Sequence, residues 1–219
     1  MNRFLKRAWA EIDLDALEHN YNEIKKLAKG KDILAVVKAN AYGHDDKAVC
    51  LKLQELGVKY YGVSNLWEGE KLRQHGITGT ILTFGYTDED YFDELLEYGI
   101  TQTAGSVQYA KQLSDYAVSK GVKLPVHIKV NTGMTRVGID SQQEMLDIIA
   151  MPGLDCKAAY THFAAADSLD PSDVEYTDRQ QEKLMKIAKD KGLLIHSQNS
   201  GGIIYHGDFG GDIVRAGVI

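Results

Sequence analysis

Cysteine is scarce in this sequence. Cys50 and Cys156 are the two thiols among 219 residues, one in an apolar helix-like segment and the other in a strand-like run. So few and so far apart, they supply neither a disulfide framework nor a metal-ligand spacing, and they read as reduced core thiols of a cytosolic protein without a metal site. Long apolar runs are missing too, since no stretch approaches the roughly 20 residues that a membrane span needs. The N-terminal segment MNRFLKR carries positive charge but lacks the apolar core of a secretory signal. A cytoplasmic chain with no membrane contact is the expectation. Basic charge is also short, with 25 Lys and Arg against 31 Asp and Glu and a formal net charge of −6. With no basic stripe to reverse that field, phosphate-backbone binding is disfavoured and nucleic acid is not an expected partner. Internal repeats and low-complexity tracts are absent.

What is present describes an ordinary soluble domain: 44% hydrophobic and 26% charged residues, in a chain long enough for one substantial core. Leu14, Leu17, Tyr21, Ile24 and Leu27 recur at spacings of three and four, which predicts an amphipathic helix over 13–28. Beyond it, short apolar runs at 33–39, 60–64, 80–84, 100–103, 126–130, 156–162, 194–197 and 213–218 read as strands. Helical patterns fall between them at 44–56, 67–75, 88–98, 106–120, 142–151 and 174–189, and the glycine-rich piece 201–211 reads as a short helix and loop. The acidic run 88–97 reads as a solvated helix face. Eight strands alternating with helices predict a parallel α/β architecture closed into a TIM (β/α)8 barrel, a fold that usually takes about 250 residues. This sequence stops at about the eighth strand. With no helix to follow it, that strand is expected to expose an apolar strip or to be poorly held.

Chemistry should gather at the C-terminal ends of the strands. Lys38, Lys129, Arg136, His162, His196, Ser200 and Arg215 all fall at or just after such ends. Lys38 stands within AVVKANAYGH (35–44), where a buried strand gives way to a glycine-containing turn. A lysine in an apolar pocket can lose its proton at neutral pH and attack an aldehyde, so the position suits a Schiff-base cofactor such as pyridoxal 5'-phosphate (PLP). Tyr42 follows four residues later, where the turn can bring its hydroxyl back to the same pocket. A structural lysine at a barrel rim has the same local pattern.

Further motifs occur in a telling order: KVNTGMTRVG (129–138), YTHFAAAD (160–167), HSQNS (196–200) and VRAGV (214–218). Together with AVVKANAYGH they resemble the bacterial alanine racemase family, and the likeness runs from about Arg7 to the last residue. The resemblance implies that 1–219 form a PLP-binding barrel domain, the family's C-terminal β-domain lying outside this sequence. It implies an isomerase that interconverts L- and D-alanine as a homodimer, supplying D-alanine to peptidoglycan precursors. By the same likeness Lys38 carries the cofactor and handles the proton of the D-enantiomer, while a tyrosine of the partner subunit's C-terminal domain serves the L-enantiomer. Tyr42, Ser200, Gly217 and Val218 are expected at the phosphate. Arg215 should face the pyridine nitrogen with His196 orienting it, and a donor-only arginine there keeps that nitrogen unprotonated, unlike the aspartate of other PLP enzymes. His162 would pack on the ring, with Asn199 near its plane. Arg136 would lie near the 3'-oxygen and the substrate carboxylate, braced by Lys129, a residue open to carbamylation. Ordinary pairing of Lys129 with an acid is the competing reading.

Two positions depart from the family pattern: Asn131 stands where Asp is usual, and Asp45 where Gly is usual. Serine racemisation by a related enzyme and a nonenzymatic PLP-homeostasis protein are the alternative functions, the second predicting cofactor binding without racemisation. The sequence by itself is expected to bind PLP more readily than it racemises alanine.

Overall fold

A computed structural model describes residues 9–217, so Val218 lies outside the described residues. Eight parallel strands follow one another around the molecule: β1 (Asp32–Val36), β2 (Tyr60–Val63), β3 (Thr80–Thr83), β4 (Ile100–Ala104), β5 (Leu124–Lys129), β6 (Leu154–Tyr160), β7 (Leu194–His196) and β8 (Ile213–Ala216). They pair in the order β7-β6-β5-β4-β3-β2-β1-β8. The two ends of that order also meet, through Asp212 N–H to Ile195 O at 2.8 Å and Arg215 N–H to Gln198 O at 2.9 Å. The result is a nearly closed (β/α)8 barrel.

Helices α1 (Leu14–Leu27), α3 (Asp46–Glu55), α4 (Leu66–Gln74), α5 (Phe92–Glu97), α6 (Val107–Ser119), α7 (Gln142–Ile149), α8 (Pro171–Ala188) and α9 (Ser200–Tyr205) surround it, and a left-handed turn, α2 (Lys38–Gly43), follows β1. Local sequence sets their starts. Asp13, Asn65 and Ser106 accept hydrogen bonds from first-turn amides of α1, α4 and α6, and Ser141 with Glu144 closes a reciprocal cap on α7. Pro171 begins α8, three residues earlier than the apolar pattern indicates, because proline suits the first helical turn. The acidic stretch is a short 3-10 turn, Glu89–Tyr91, before α5, which buries Phe92 and Leu95.

Alternation along each strand sorts the side chains. Ile81, Ile100, Val126, Ile128 and Ile195 join the main core between barrel and helices. The register places Leu34, Tyr60, Leu82, His127, Tyr160, His196 and Arg215 on the opposite, inner face. Inside, Leu34, Leu82 and Ile213 form an apolar cluster with Val36, Tyr60 and Phe84. Gly62 makes room for it, since a Cβ there would come within 2.7 Å of both Leu34 and Phe84.

The eighth strand is well covered, contrary to the sequence expectation. Val214 is buried against Ile24 of α1 and Ala28 just after it, Ile33 of β1 and Ile203 of α9. Because β8 pairs with β1, the helix that precedes β1 can wrap across the closure. Among the described residues no helix is long and apolar enough to cross a membrane, and no group of three or more His, Cys, Asp or Glu could hold a metal ion.

Candidate functional site

The strand ends open into a cavity of about 730 Å³ at the C-terminal rim of the barrel. Lys38, Tyr42, Lys129, Arg136, His162, Asn199, Ser200, Arg215 and Gly217 all line it. His196 lies beneath, fully buried against Arg215.

Lys38 enters from an unusual backbone. Strand β1 stops at Val36, short of the expected 39, and the next residues turn left-handed: Ala39, Asn40, Ala41 and Tyr42 have φ of 52°, 56°, 51° and 54°. For non-glycine residues this region costs roughly 1–2 kcal/mol each, so external contacts must hold the turn. Glu68 accepts from Ala39 N–H at 2.8 Å, and Asn40 Oδ1 accepts from Asp46 N–H at 3.1 Å. Asp45, at φ 69°, continues the strained path into α3 and caps that helix by accepting from Ala48 N–H. A glycine-favouring backbone angle is thus filled by a residue whose carboxylate caps the next helix.

On the barrel floor Arg215 is 3% exposed. Its Nη1 donates to His196 O at 2.7 Å, and its Nη2 to Thr161 O at 2.7 Å and Ser197 O at 3.0 Å. The same two nitrogens lie 3.3 Å from His196 Nδ1 and 3.4 Å from His162 Nδ1. Three carbonyls fix the fork, and a guanidinium has only donors to offer. Burial lowers the Arg215 pKa to about 10, which leaves it charged at neutral pH. Burial first, then the charges of Arg215, Arg136, Lys129 and Lys38, pushes His162 down to about 3, so its ring is neutral. Tyr160 stacks on His196 with ring centroids 4.7 Å apart and bonds Thr103 Oγ1 at 2.9 Å.

Lys129 is 6% exposed and donates to Val130 O at 2.9 Å. Burial, with the charges of Arg215 and Arg136 adding to it, lowers its pKa to about 7. Among the described residues no carboxylate lies within ion-pair distance of it, so the acid-paired reading is not what the structure presents. Arg136 sits on the exposed loop that follows β5 and reaches the cavity rim. Asn131 shapes this loop: its Oδ1 accepts from Gly133 N–H and Thr135 N–H, while its Nδ2 donates to Asp140. An aspartate there would set two carboxylates against each other.

At the other side of the mouth, Ser200 Oγ accepts from Gly217 N–H at 3.2 Å. Gly217 is required by close packing, because a Cβ would stand 2.8 Å from Val36 Cβ and 3.3 Å from the Tyr42 ring. Asn199 Oδ1 caps α9 through Gly202 N–H at 3.0 Å. The residues described therefore offer a hydroxyl-rich end formed by Tyr42, Ser200 and Gly217, and a fixed cation on the floor, within one cavity.

The family described as "Alanine racemase, N-terminal domain" matches residues 12–219. The chain belongs to that family. It is 38% identical to an alanine racemase of Clostridium perfringens over 229 residues, covering 100% of this chain and 58% of that protein. An alanine racemase structure from Clostridium difficile 630 superposes with a TM-score of 0.91 at 37% identity, over 99% of this chain and 58% of that one. A histidine racemase from Leuconostoc mesenteroides gives a TM-score of 0.86 at 27% identity, over 94% and 57%. The chain thus spans under two thirds of the length of these racemases.

Three polar residues of this racemase-family barrel escape a reading that looks only at strand ends. His127 lies two residues before Lys129 on the same inner face and contacts His196; strict alternation from Lys129 would have found it. Tyr160 opens a motif whose other members drew attention. Glu68, on α4, stands three residues after the Asn65 cap, a pattern that marks a helix start but not the bond to Ala39 across the barrel.

Proposed function

We propose that residues 1–219 form the PLP-binding barrel domain of an amino-acid racemase that, in the complete protein, interconverts L- and D-alanine as a homodimer. The observation that carries this reading is that Lys38 and the carbonyl-locked Arg215 line the same cavity. The donor set fits the cofactor: a primary amine for its aldehyde, a donor-only cation for its ring nitrogen, and the hydroxyls of Ser200 and Tyr42 with the tight Gly217 for its phosphate.

Bound PLP would supply an electron-accepting ring that acidifies the α-C–H bond of an amino acid attached to it. Lys38 would hold the cofactor through its amine, and the free amine would be placed to take up or return the α-proton on its own face. Arg215 stays charged and can only donate, so facing the ring nitrogen it would leave that nitrogen unprotonated and would limit the electron sink to what simple proton exchange needs. His162, neutral at ordinary pH, and Asn199 would help hold the cofactor ring in the cavity that they line. His196 holds Arg215. Arg136 would receive the substrate carboxylate, and Lys129, with its pKa lowered to about 7, would brace that arginine once converted to a carbamate anion. The opposite face needs a second proton carrier, which the family likeness places on a tyrosine of the partner subunit's C-terminal domain.

The test is to add PLP, reduce with borohydride and map the modified lysine. Trapping at Lys38, abolished in Lys38→Ala, is the expected result; trapping elsewhere overturns the assignment. Chiral assays with alanine, serine and histidine then compare this chain with a full-length relative per PLP-loaded site. Without the opposite-face group, turnover of the 219-residue chain is expected to be at least ~100-fold lower, the usual contribution of a positioned acid or base.

A further inference from the structure

Glu68 links two cavity-lining strand ends. It occupies the third position of α4, where a glutamate commonly bonds back to the capping residue. Here it reaches past the cap: Oε2 accepts from both Ser64 N–H and Ser64 Oγ at 2.7 Å, and Oε1 accepts from Ala39 N–H at 2.8 Å. Ser64 follows β2 and lines the cavity; Ala39 follows Lys38 and is the first residue of the left-handed turn.

The remaining bonds of that turn run among its own neighbours. Ala41 N–H donates to Val37 O, His44 N–H to Ala41 O, and Asp46 N–H to Asn40 Oδ1. The Ala39 amide alone of these reaches across to α4, the helix of the next strand–helix unit. A carboxylate accepting three donors forms stronger bonds than neutral acceptors would, and α4 is itself anchored by the Asn65 cap and by buried Leu66, Gly69 and Leu72.

We propose that Glu68 is a positioning residue for Lys38. Its carboxylate holds four non-glycine residues in a backbone region they rarely adopt, and so fixes the direction in which the Lys38 side chain leaves the rim. This role rests on the reading of Lys38 as the cofactor lysine. It acts through backbone geometry, so glycine at the first left-handed position should substitute for part of it.

The experiment uses the full chain with PLP, at a temperature well below each variant's thermal midpoint. The rate of borohydride-trappable adduct formation at Lys38 is measured together with amide hydrogen exchange over 39–42. Glu68→Ala is expected to slow adduct formation about tenfold, on the scale of one lost charge-assisted hydrogen bond, and to speed exchange at 39–42 relative to β1. Adding Ala39→Gly to Glu68→Ala should recover a severalfold part of the rate, which a general loss of stability would not allow. Glu68→Gln keeps one acceptor oxygen and should fall between; it decides the matter if the alanine variant does not fold. A wild-type adduct rate and unchanged exchange at 39–42 in the folded variants would overturn the role. Should the unsubstituted chain trap no adduct at Lys38, there is no cofactor lysine to position and the inference falls with that reading; altered exchange in Glu68→Ala would then show that the clamp exists and the lysine assignment failed.

Discussion

His127 Nδ1 lies 3.0 Å from His196 Nε2, deep inside the barrel, and this contact fixes a chain of proton positions. Arg215 can only donate, so His196 Nδ1, 3.3 Å away, must accept. The His196 proton then sits on Nε2 and points to His127 Nδ1, which leaves the His127 proton on Nε2. Both rings are neutral: burial lowers His127 to about 4, and burial with the charges around it puts His196 well below its usual range.

Stability should follow from this arrangement. In the unfolded chain both histidines titrate near 6.5, so below that pH the unfolded state binds more protons than the fold does. The contribution is complete above about 6.5 and drains away as pH falls toward 4. Urea unfolding between pH 8 and 4 is expected to show it, with His127→Leu less stable at pH 8 by roughly 1–3 kcal/mol, the cost of an unsatisfied His196 donor, and with a shallower loss on acidification. A pH slope identical to the parent's would show that His127 is not one of the groups responsible.

Lys129 gives a prediction of opposite use. With its pKa at about 7, its amine is largely unprotonated at pH 8 and can attack dissolved carbon dioxide, forming an N–C bond and releasing one proton to solvent. The product is an anion that the nearby charges of Arg215 and Arg136 favour, and among the described residues no carboxylate lies within ion-pair distance of Lys129 to oppose it. Incubation with 13C-labelled bicarbonate should give a carbamate resonance at pH 8 that fades toward pH 6 and is missing from Lys129→Gln. A signal that survives that substitution would assign the carbamate to another amine.

Asp45 carries two opposed effects that substitution separates. Its φ of 69° disfavours a side chain, while its carboxylate caps α3. Asp45→Gly relieves the first and loses the second, so its unfolding free energy should stay within about 1 kcal/mol of the parent. Asp45→Ala loses the cap and keeps the strain, for a loss of about 1–2 kcal/mol. Thermal unfolding of both variants checks the ordering, and an alanine variant as stable as the glycine one would remove strain from the account.

How far the sequence could be read depended on where each interaction is encoded. All eight apolar runs are strands, because strand identity is a local property of apolar spacing. The polar set at their ends lines one cavity for the same topological reason, except His196, which lies buried beneath it. The left-handed course of Ala39 to Tyr42 is not legible, since nothing in Ala-Asn-Ala-Tyr requires it and the bond that reaches Ala39 comes from Glu68 on α4. The cover of the eighth strand is not legible from chain order, because closure of the barrel brings α1, from the start of the chain, next to β8. His127 was visible by alternation but sits one layer below the strand ends.

Arg215 offers the sharpest test of how the floor is built. Thr161 O, His196 O and Ser197 O all point at its guanidinium, within 3.0 Å or less. Arg215→Glu would set a carboxylate against three carbonyls in a buried place, and neither side has a donor to give. That should cost on the order of 3–5 kcal/mol, the scale of an uncompensated buried charge, and it would unfold much of the population whatever the residue does for the cofactor. Arg215→Lys keeps the charge but replaces the fork with one ammonium, which can follow one or two of the carbonyls; a loss of about 1–3 kcal/mol is expected. Lysine is therefore the variant in which cofactor effects can be read. Urea unfolding followed by circular dichroism should rank the parent, lysine and glutamate forms in that order of decreasing stability. A glutamate form as stable as the lysine form would mean that the carbonyls turn away or bind water, and that the guanidinium is not held by them.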